Sequence, residues 1–362
     1  MPAVQAKQTL LSADISHWLR DVITPKAQII DRDPVAMGEA VKAICHQGWM
    51  ALKRPLAYGG PEMSEIEFRV VQREVARSSG AFAFLTTQHQ SAVAMIGSSE
   101  NQALKEEYLP QMANGGKLVG IGFSQLRRAG LPIMRAERVS GGYRLEGHVP
   151  WITGWSFYPE FLVGAALPDG SSVFGILPLM NGPHVQISPP MELAAMGTAM
   201  TVTADVSNFF VPDARIVFTK PPGWIQHSDE INIALQVHFA LGCARAGIDI
   251  VEREAKRKGL DFLTETAQTL LVEWESCRAA SETASSLSGQ ESREDRLQVR
   301  AWVIELAVRC AHAAVTASSG AANSVNHPAQ RVYREALVFS VSAQTAPIME
   351  ATLRRISRRS GV

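Results

Sequence analysis

The spacing of apolar residues changes twice along this 362-residue chain, and that change constrains the fold more than any single motif. From Ser12 to about Ala113 apolar residues recur at helical spacing. From Gly116 to about Phe218 they alternate with polar residues, which is typical of strands separated by turns. From about Asp229 onwards the helical spacing returns in long segments, which favours a helix bundle.

This order predicts an α+β multidomain protein. We expect an N-terminal α-helical domain at residues 1–115, a middle antiparallel β-barrel or sandwich domain at 116–218, and a C-terminal four-helix-bundle domain at 219–362. A chain of this length exceeds what one compact core usually holds, so several packed domains are expected. Apolar residues make up 46% and charged residues 19%, the balance of a globular protein with a large interior.

Charge and cysteine usage argue against several classes of function. Lys plus Arg and Asp plus Glu each number 35, so the chain has no overall electrostatic reason to bind nucleic acid or an anionic membrane. The four cysteines are scattered without metal-ligand spacing, so we expect no metal site and a reducing compartment. The N-terminus lacks a signal-peptide pattern, and no run approaches the roughly 20 apolar residues of a membrane span. We therefore expect a cytoplasmic protein.

Six short motifs follow one another along the chain. They are LAYGG from Leu56, EVAR from Glu74, KEEYLP from Lys105, GYRLEGHVPWIT from Gly142, VP at Val211 and YREA from Tyr333. In this order and spacing they resemble the motifs of the acyl-CoA dehydrogenase superfamily over nearly the whole chain, and the strand motif from Gly142 is the most specific. The resemblance implies a helical, β and helical-bundle architecture and a flavin-dependent oxidoreductase.

The same resemblance assigns residues to a flavin site. Trp151 would cover one face of the flavin ring and Thr153 would hydrogen-bond near its N5 atom, while Ser124 and Gln125 occupy the first positions of the flavin-binding loop. An aromatic plane excludes water, and a hydroxyl donor tunes the redox atom. The alternative is a core tryptophan and a strand threonine without a ligand. FAD is the expected cofactor, with FMN or a diffusible reduced flavin as alternatives.

The loop that should hold the flavin phosphates departs from the family pattern. Arg127 and Arg128 follow Ser124 and Gln125 in a stretch that lacks the usual Gly-Ser-Asp residues. Guanidinium groups suit a diphosphate or an anionic substrate. They could equally face solvent. Arg257 matches the arginine that, in the family, reaches the FAD of a neighbouring subunit, and Gly320 remains from a reduced glycine-rich turn.

The third departure concerns the catalytic base. Alignment of the YREA motif places Ala343 where many family members carry a catalytic carboxylate near the substrate, and Thr345 retains the threonine that follows it. An alanine methyl group cannot accept a proton, so the resemblance implies a divergent member that lacks the usual glutamate. Glu230 is two residues from the position that some members use instead, which on a helix is about 200° from the required face.

Two histidines are candidates to replace the missing base. His89 is expected on an N-terminal helix that borders the substrate cavity in this family, where it could act as a catalytic histidine; a buried structural histidine is the alternative. His238 lies between Val237 and Phe239, and that apolar position favours a core role.

Three functions remain open from the sequence. The first is a flavin-dependent oxidoreductase that acts on a non-standard acyl or small organic substrate, free or bound to CoA or a carrier. The second is a flavin-dependent monooxygenase on the same fold, and the third is a scaffold without chemistry. The resemblance also implies a homodimer or homotetramer built through the bundle, and the apolar circumference of the segment from Ala301 to Ala311 agrees with a buried helix.

Overall fold

The N-terminal segment is helical, as predicted. The computed structural model describes residues 2–287, 289 and 291–357. The helices of this segment are α1 (Pro2–Trp18), α2 (Ala27–Ile30), α3 (Pro34–His46), α4 (Glu65–Ser78), α5 (Gly80–Gly97) and α6 (Gln102–Met112). Ser64 caps α4, because its hydroxyl accepts a hydrogen bond from the Glu67 amide. Ser79 ends α4 in an extended conformation and caps α5.

The middle segment forms one sheet of eight strands in the described part of the chain. The strands are β1 (Val119–Gly122), β2 (Met134–Val139), β3 (Gly142–Thr153), β4 (Glu160–Ala166), β5 (Ser172–Pro178), β6 (Val185–Ile187), β7 (Thr201–Pro212) and β8 (Ile216–Lys220). Their order is β6-β7-β3-β2-β4-β5-β8, with β1 beside β4. A tight turn at Ser140 and Gly141 joins β2 to β3, and Gly141 has the positive φ of 78° that this turn requires.

The expectation of a purely antiparallel sheet is corrected at two places. β1 pairs with β4 in parallel, and β2 meets β4 in parallel at the pair Arg135 and Ala166. A parallel pair needs a long connection between its strands, and the β2–β3 hairpin between β1 and β4 supplies one.

The C-terminal segment is helical, as predicted, but it contains six helices in its described part and not four. Its helices are α7 (Trp224–Asn232), α8 (Val237–Lys258), α9 (Asp261–Ser286), α10 (Arg293–Ser318), α11 (Pro328–Val341) and α12 (Ala346–Ser357). The number differs because the chain breaks before α8 and before α12. The break before α12 follows Ala343, whose φ of 49° is left-handed and incompatible with a continuing helix. Pro347 then occupies the first turn of α12, where a proline is tolerated. At the break before α8, the side-chain amide of Asn232 donates a hydrogen bond to the Ser228 carbonyl and so competes with the backbone hydrogen bonds of the helix.

Helix α10 is the central element of the bundle. It packs against α8, α9, α11 and α12 of the same chain. The apolar residues proposed to face a second subunit are instead buried within the chain; they include Ala301, Val303, Leu306, Cys310 and Ala311. The apolar circumference of α10 therefore reflects its central position and not a subunit interface.

Helix α8 approaches its neighbours through glycines. A Cβ atom on Gly242 would lie 2.2 Å from the Arg73 carbonyl oxygen of α4, and one on Gly247 would lie 2.6 Å from the Cys310 carbonyl oxygen of α10. Such distances exclude any larger residue without displacement of the neighbouring backbone. These contacts pack α8 closely against the middle of α4 and the C-terminal half of α10.

The location of the protein stays a prediction. All four cysteines are buried free thiols. The segment Trp224–Lys258 has the length and hydropathy of a membrane span, but 67% of its most apolar window is buried inside the fold. Buried core helices meet the same criteria, and α8 is a buried core helix.

Candidate functional site

The end of β3 carries the exposed aromatic residue of the site. Between Val149 and Ile152 the pairing of β3 with β7 shifts by one residue, which marks a β-bulge. Pro150, which has no amide hydrogen to donate, lies in the bulge and is buried, whereas Trp151 is 47% exposed. Trp151 is therefore not a core tryptophan, and its indole is available to a flat partner.

Thr153 is buried beside a second threonine. Its hydroxyl lies 2.9 Å from the Thr201 hydroxyl at the start of β7, and either can be the donor. Next to this pair, the Gly154 amide donates to the Ala199 carbonyl and the Trp155 amide donates to the Met200 carbonyl. The end of β3 is thus fixed against the segment that precedes β7.

That segment combines backbone strain with an unpaired hydroxyl. Met196 and Met200 have positive φ values of 59° and 54° and flank the turn Gly197–Ala199. Thr198 in this turn is 5% exposed, and its Oγ1 has no hydrogen-bond partner among the described residues. Left-handed backbone at non-glycine residues costs about 1–3 kcal/mol each and is concentrated at ligand sites.

Ser124 and Gln125 lie in the helical turn Ser124–Arg127, which packs against β3. The buried Ser124 Oγ makes no hydrogen bond to any described atom. The Gln125 amide nitrogen donates to the Gly122 and Gly164 carbonyls, at 3.1 and 2.8 Å, and leaves its own Oε1 buried without a partner. The structure therefore brings Ser124 and Gln125 into the same region as β3, which carries Trp151 and Thr153.

The two arginines after this turn differ. Arg127 donates to both carboxylate oxygens of Asp229 on α7 at 2.8–3.0 Å, so its charge is already paired. The hypothesis that Arg127 binds a diphosphate or substrate is corrected accordingly: it ties the turn to α7. Arg128 is exposed and lines a cavity of about 180 Å³ with Trp224 and Gln226. Its role in substrate binding remains a prediction.

Arg257 and Gly320 lie together at the C-terminal end of α8. Arg257 is exposed and paired with Glu254 at 2.6 Å. The adjacent Lys258 donates to Ser319 Oγ at 3.2 Å, next to Gly320. A Cβ on Gly320 would meet no atom within 4 Å, so this turn faces open space. Contact with the cofactor of a neighbouring subunit remains a prediction for both residues.

The loop between α11 and α12 carries Ala343 and Thr345. Ala343 is exposed, and Thr345 is half-buried and directly precedes α12. The loop is fixed by Arg300 of α10, whose Nη2 donates to the Ser342 carbonyl at 2.8 Å. Glu230, the alternative base, is engaged elsewhere, because Arg293 donates to both of its carboxylate oxygens at 2.8 and 3.0 Å.

His89 occupies a structural position, which corrects its assignment as a catalytic histidine. The ring is fully buried; Nδ1 accepts from the Val119 amide at 2.9 Å, and Nε2 donates to the Met112 carbonyl at 3.0 Å. Burial lowers the pKa of His89 to about 4. Both nitrogens are occupied in joining α5 to β1 and α6, so neither is free to exchange a proton with a substrate.

Comparison with known proteins identifies the family. Residues 5–116 match the model of the acyl-CoA dehydrogenase N-terminal domain. The mitochondrial isovaleryl-CoA dehydrogenase of Pongo abelii is 25% identical over 223 residues, which are 58% of this chain and 52% of that protein. The chain belongs to the acyl-CoA dehydrogenase superfamily. The family and the fold predicted from the sequence motifs are thereby confirmed.

Two further similarities extend over nearly the whole chain. A pigment production hydroxylase of Rhodococcus sp. is 21% identical over 364 residues, covering 91% of each protein. A structure of glutaryl-coenzyme A dehydrogenase in complex with glutaryl-CoA superposes with a TM-score of 0.81 at 20% identity, covering 98% of this chain and 96% of that one. The second similarity establishes the fold. The match to isovaleryl-CoA dehydrogenase spans only about half of the length of that relative.

Proposed function

We propose that this chain is a flavin-dependent oxidoreductase that binds FAD and acts on a non-standard acyl or small organic substrate. The observation that carries the proposal is the exposed Trp151 indole at the end of β3, in a region with buried hydroxyl groups that lack hydrogen-bond partners among the described residues. Buried polar atoms without hydrogen bonds are uncommon in folded proteins, and each calls for an explanation. The Oγ atoms of Ser124 and Thr198 are two such atoms near the end of β3.

The residues of this region suit a flavin. A flavin supplies the two-electron chemistry of such oxidoreductases when it is bound. The Trp151 ring would cover one ring face and exclude water, since flat aromatic partners stack favourably. Thr153 would direct a hydroxyl toward the redox edge while Thr201 holds its orientation, and Ser124 would bond to the polar edge of the ring. FMN remains the alternative because the phosphate-binding loop is altered.

The proposal includes the absence of the usual base. Ala343 occupies the loop position aligned with the catalytic carboxylate, and Glu230 is paired with Arg293. Neither residue can take an α-proton from an acyl substrate in this arrangement. A substrate whose oxidation or reduction needs no carboxylate at that place fits the chain better than a simple saturated acyl thioester.

Restoring a carboxylate tests this part of the proposal. The flavin-loaded wild-type protein is expected not to lose its visible flavin absorption when mixed anaerobically with saturated acyl-CoA thioesters. The Ala343→Glu variant should gain flavin reduction at a rate at least about 100-fold higher, since a positioned base contributes roughly 10²–10⁴-fold. Ala343→Gln, which has the same size without basicity, is the control. Rapid reduction in the wild type, or equal rates in both variants, would show that the position does not limit the chemistry.

A monooxygenase is the second candidate, supported by the full-length similarity to a hydroxylase and by the same missing base. In this reaction reduced flavin and oxygen hydroxylate a substrate and release water and oxidised flavin. The wild-type protein would then consume oxygen when supplied with reduced FAD or FMN and a panel of phenols. Consumption that requires the phenol and yields hydroxylated product supports this candidate. Flavin reduction by an organic acid without oxygen supports the first.

We also propose a homodimer or homotetramer that buries two exposed apolar stripes. Tyr333, Leu337 and Val341 follow one face of α11 with 43–57% exposure, and Met349, Leu353 and Ile356 follow one face of α12 with 46–62% exposure. Their spacing of three to four residues places each set on one side of its helix. Exposed apolar stripes of this kind mark protein interfaces.

The stripes predict the effect of a charged substitution. Leu353→Asp should convert the oligomer to monomers at micromolar concentration, because a carboxylate would be buried in an apolar interface. Mass by light scattering after size exclusion measures this. Leu10→Asp, at a leucine of α1 that is 67% exposed, is the control and should keep the oligomer. An unchanged mass for Leu353→Asp would place the interface elsewhere.

A further inference from the structure

Arg300 of α10 is a buried cation without an acidic partner among the described residues. The residue is 1% exposed, and its Nη2 donates to the Ser342 carbonyl at 2.8 Å. Its Nε and Nη1 atoms form no hydrogen bond with any described residue. Burial lowers the pKa of Arg300 to about 10, and no carboxylate opposes that effect. Buried charges in proteins are normally paired, so this arrangement lacks an anion.

His238 lies in the same interior. It is the second residue of α8 and is 3% exposed, and neither of its ring nitrogens has a partner in the described part of the chain. Burial, followed by the charges of Arg69, Arg73 and Arg300, lowers the pKa of His238 to about 3. The imidazole is therefore neutral and offers one donor and one acceptor close to three guanidinium groups.

The charges around this interior are not balanced at Arg300. Arg69 is paired with Glu65, and Arg73 lies 3.6 Å from both Glu74 and Glu282. Both of these arginines belong to α4, which packs against α8. The first turn of α8 adds the positive end of a helix dipole, and Gln236 provides no side-chain cap there. The excess positive charge is thus located between α8 and α10.

We propose that Arg300 and His238 form a buried binding site for a carboxylate group carried by the substrate. The unpaired Nε and Nη1 of Arg300 and one ring nitrogen of His238 would donate to its oxygens. Arg300 also holds Ser342, the neighbour of Ala343, so this carboxylate lies beside the loop position where related enzymes carry their own. The inference rests on the proposed oxidoreductase function, which identifies the substrate as the source of the carboxylate. The unpaired cation indicates that the bound group is an anion.

Thermal unfolding with small anions tests the site independently of catalysis. Acetate should raise the Tm of the wild-type protein saturably, by about 2 °C at tenfold excess over its Kd, whereas chloride at equal ionic strength should not. Arg300→Met should abolish the acetate effect, and His238→Met should weaken it. Arg354→Gln, at an exposed arginine of α12, is the matched control and should keep it.

The same variants separate this site from a purely structural role for Arg300. Without acetate, Arg300→Met should be at least as stable as the wild type, because it removes an unpaired buried charge. If Arg300 serves only to hold the Ser342 carbonyl, the variant loses stability and the wild type shows no acetate effect; that pair of results overturns the proposal. An acetate effect equalled by chloride, or retained in Arg300→Met, also overturns it.

A final comparison identifies the source of the carboxylate. The flavin-loaded protein should bind a short thioester with a terminal carboxylate at least tenfold more tightly than an uncharged thioester of equal length, and Arg300→Met should remove the difference. Equal affinities would exclude a carboxylate carried by the substrate. The flavin spectrum of Arg300→Met is recorded in parallel, so that loss of flavin, which concerns the proposed function, is distinguished from loss of the carboxylate site.

Discussion

Replacing Glu335 with alanine is expected to lower the free energy of unfolding by about 3–5 kcal/mol. Glu335 of α11 is fully buried and accepts hydrogen bonds from Arg331 at 2.7 Å and from the Gly80 amide at 2.9 Å. Gly80 is the first residue of α5, where a negative charge is favoured by the helix dipole. The alanine variant leaves the largely buried Arg331 and the Gly80 amide unpaired. Chemical denaturation followed by circular dichroism measures the change.

Two variants show whether charge or hydrogen bonding dominates this effect. Glu335→Gln keeps an acceptor for Gly80 but removes the charge that pairs with Arg331, so we expect about half of the loss. Adding Arg331→Met to Glu335→Ala should restore part of the stability, because the unpaired cation is then absent. A loss below about 1 kcal/mol for Glu335→Ala would mean that this pair does not connect α11 to α5.

Acidification from pH 7.5 to pH 5.5 is expected to lower the free energy of unfolding by about 3 kcal/mol through His89 and His238. Their pKa values of about 4 and about 3 lie below the ordinary value of 6.5. As the pH falls below 6.5, the unfolded chain binds a proton at each histidine while the folded chain does not. Each histidine therefore costs about 1.4 kcal/mol over this interval, and stability is lost toward low pH.

A histidine variant isolates this contribution from the other titrating groups. His238→Met should show about half of the pH dependence of the wild type, measured by denaturation at both pH values without added carboxylates. Burial raises the pKa of Glu335, which acts in the opposite direction, but that contribution is common to both proteins and cancels in the comparison. An identical pH dependence in the two proteins would mean that His238 is charged in the folded state.

The architecture was predictable because it depends on the local spacing of apolar residues. The helical and strand periods of the apolar residues distinguish the three segments. A tight turn such as that at Ser140 and Gly141 is predictable because glycine favours it. The break at Ala343 was missed, because the apolar spacing continues through it and only Pro347 signals a new helix. Strand β8 and the parallel pairing of β1 with β4 depend on contacts between distant segments, which a local pattern does not contain.

The candidate site was predictable where a motif fixes the residues and not where packing does. Trp151, Thr153, Ser124 and Gln125 follow from the motifs, and the structure brings them together. Thr198 and Thr201 were missed because their position depends on the pairing of β7 with β3. His89 and Arg127 were misassigned, since only the fold reveals that their polar groups are paired with Val119, Met112 and Asp229. Arg300 gave no signal in the sequence, because its burial results from the central position of α10.

Titration of the protein with FAD and with FMN, followed by visible absorption and tryptophan fluorescence, tests the central claim most directly. The account predicts one flavin per chain, with FAD bound more tightly than FMN. It also predicts an affinity about tenfold or more lower for Trp151→Leu, because the stacked ring face is lost. Phe210→Leu, at another exposed aromatic residue of the same sheet, should bind normally. Absence of binding by either flavin up to about 100 µM, or an unchanged affinity in Trp151→Leu, would contradict the account.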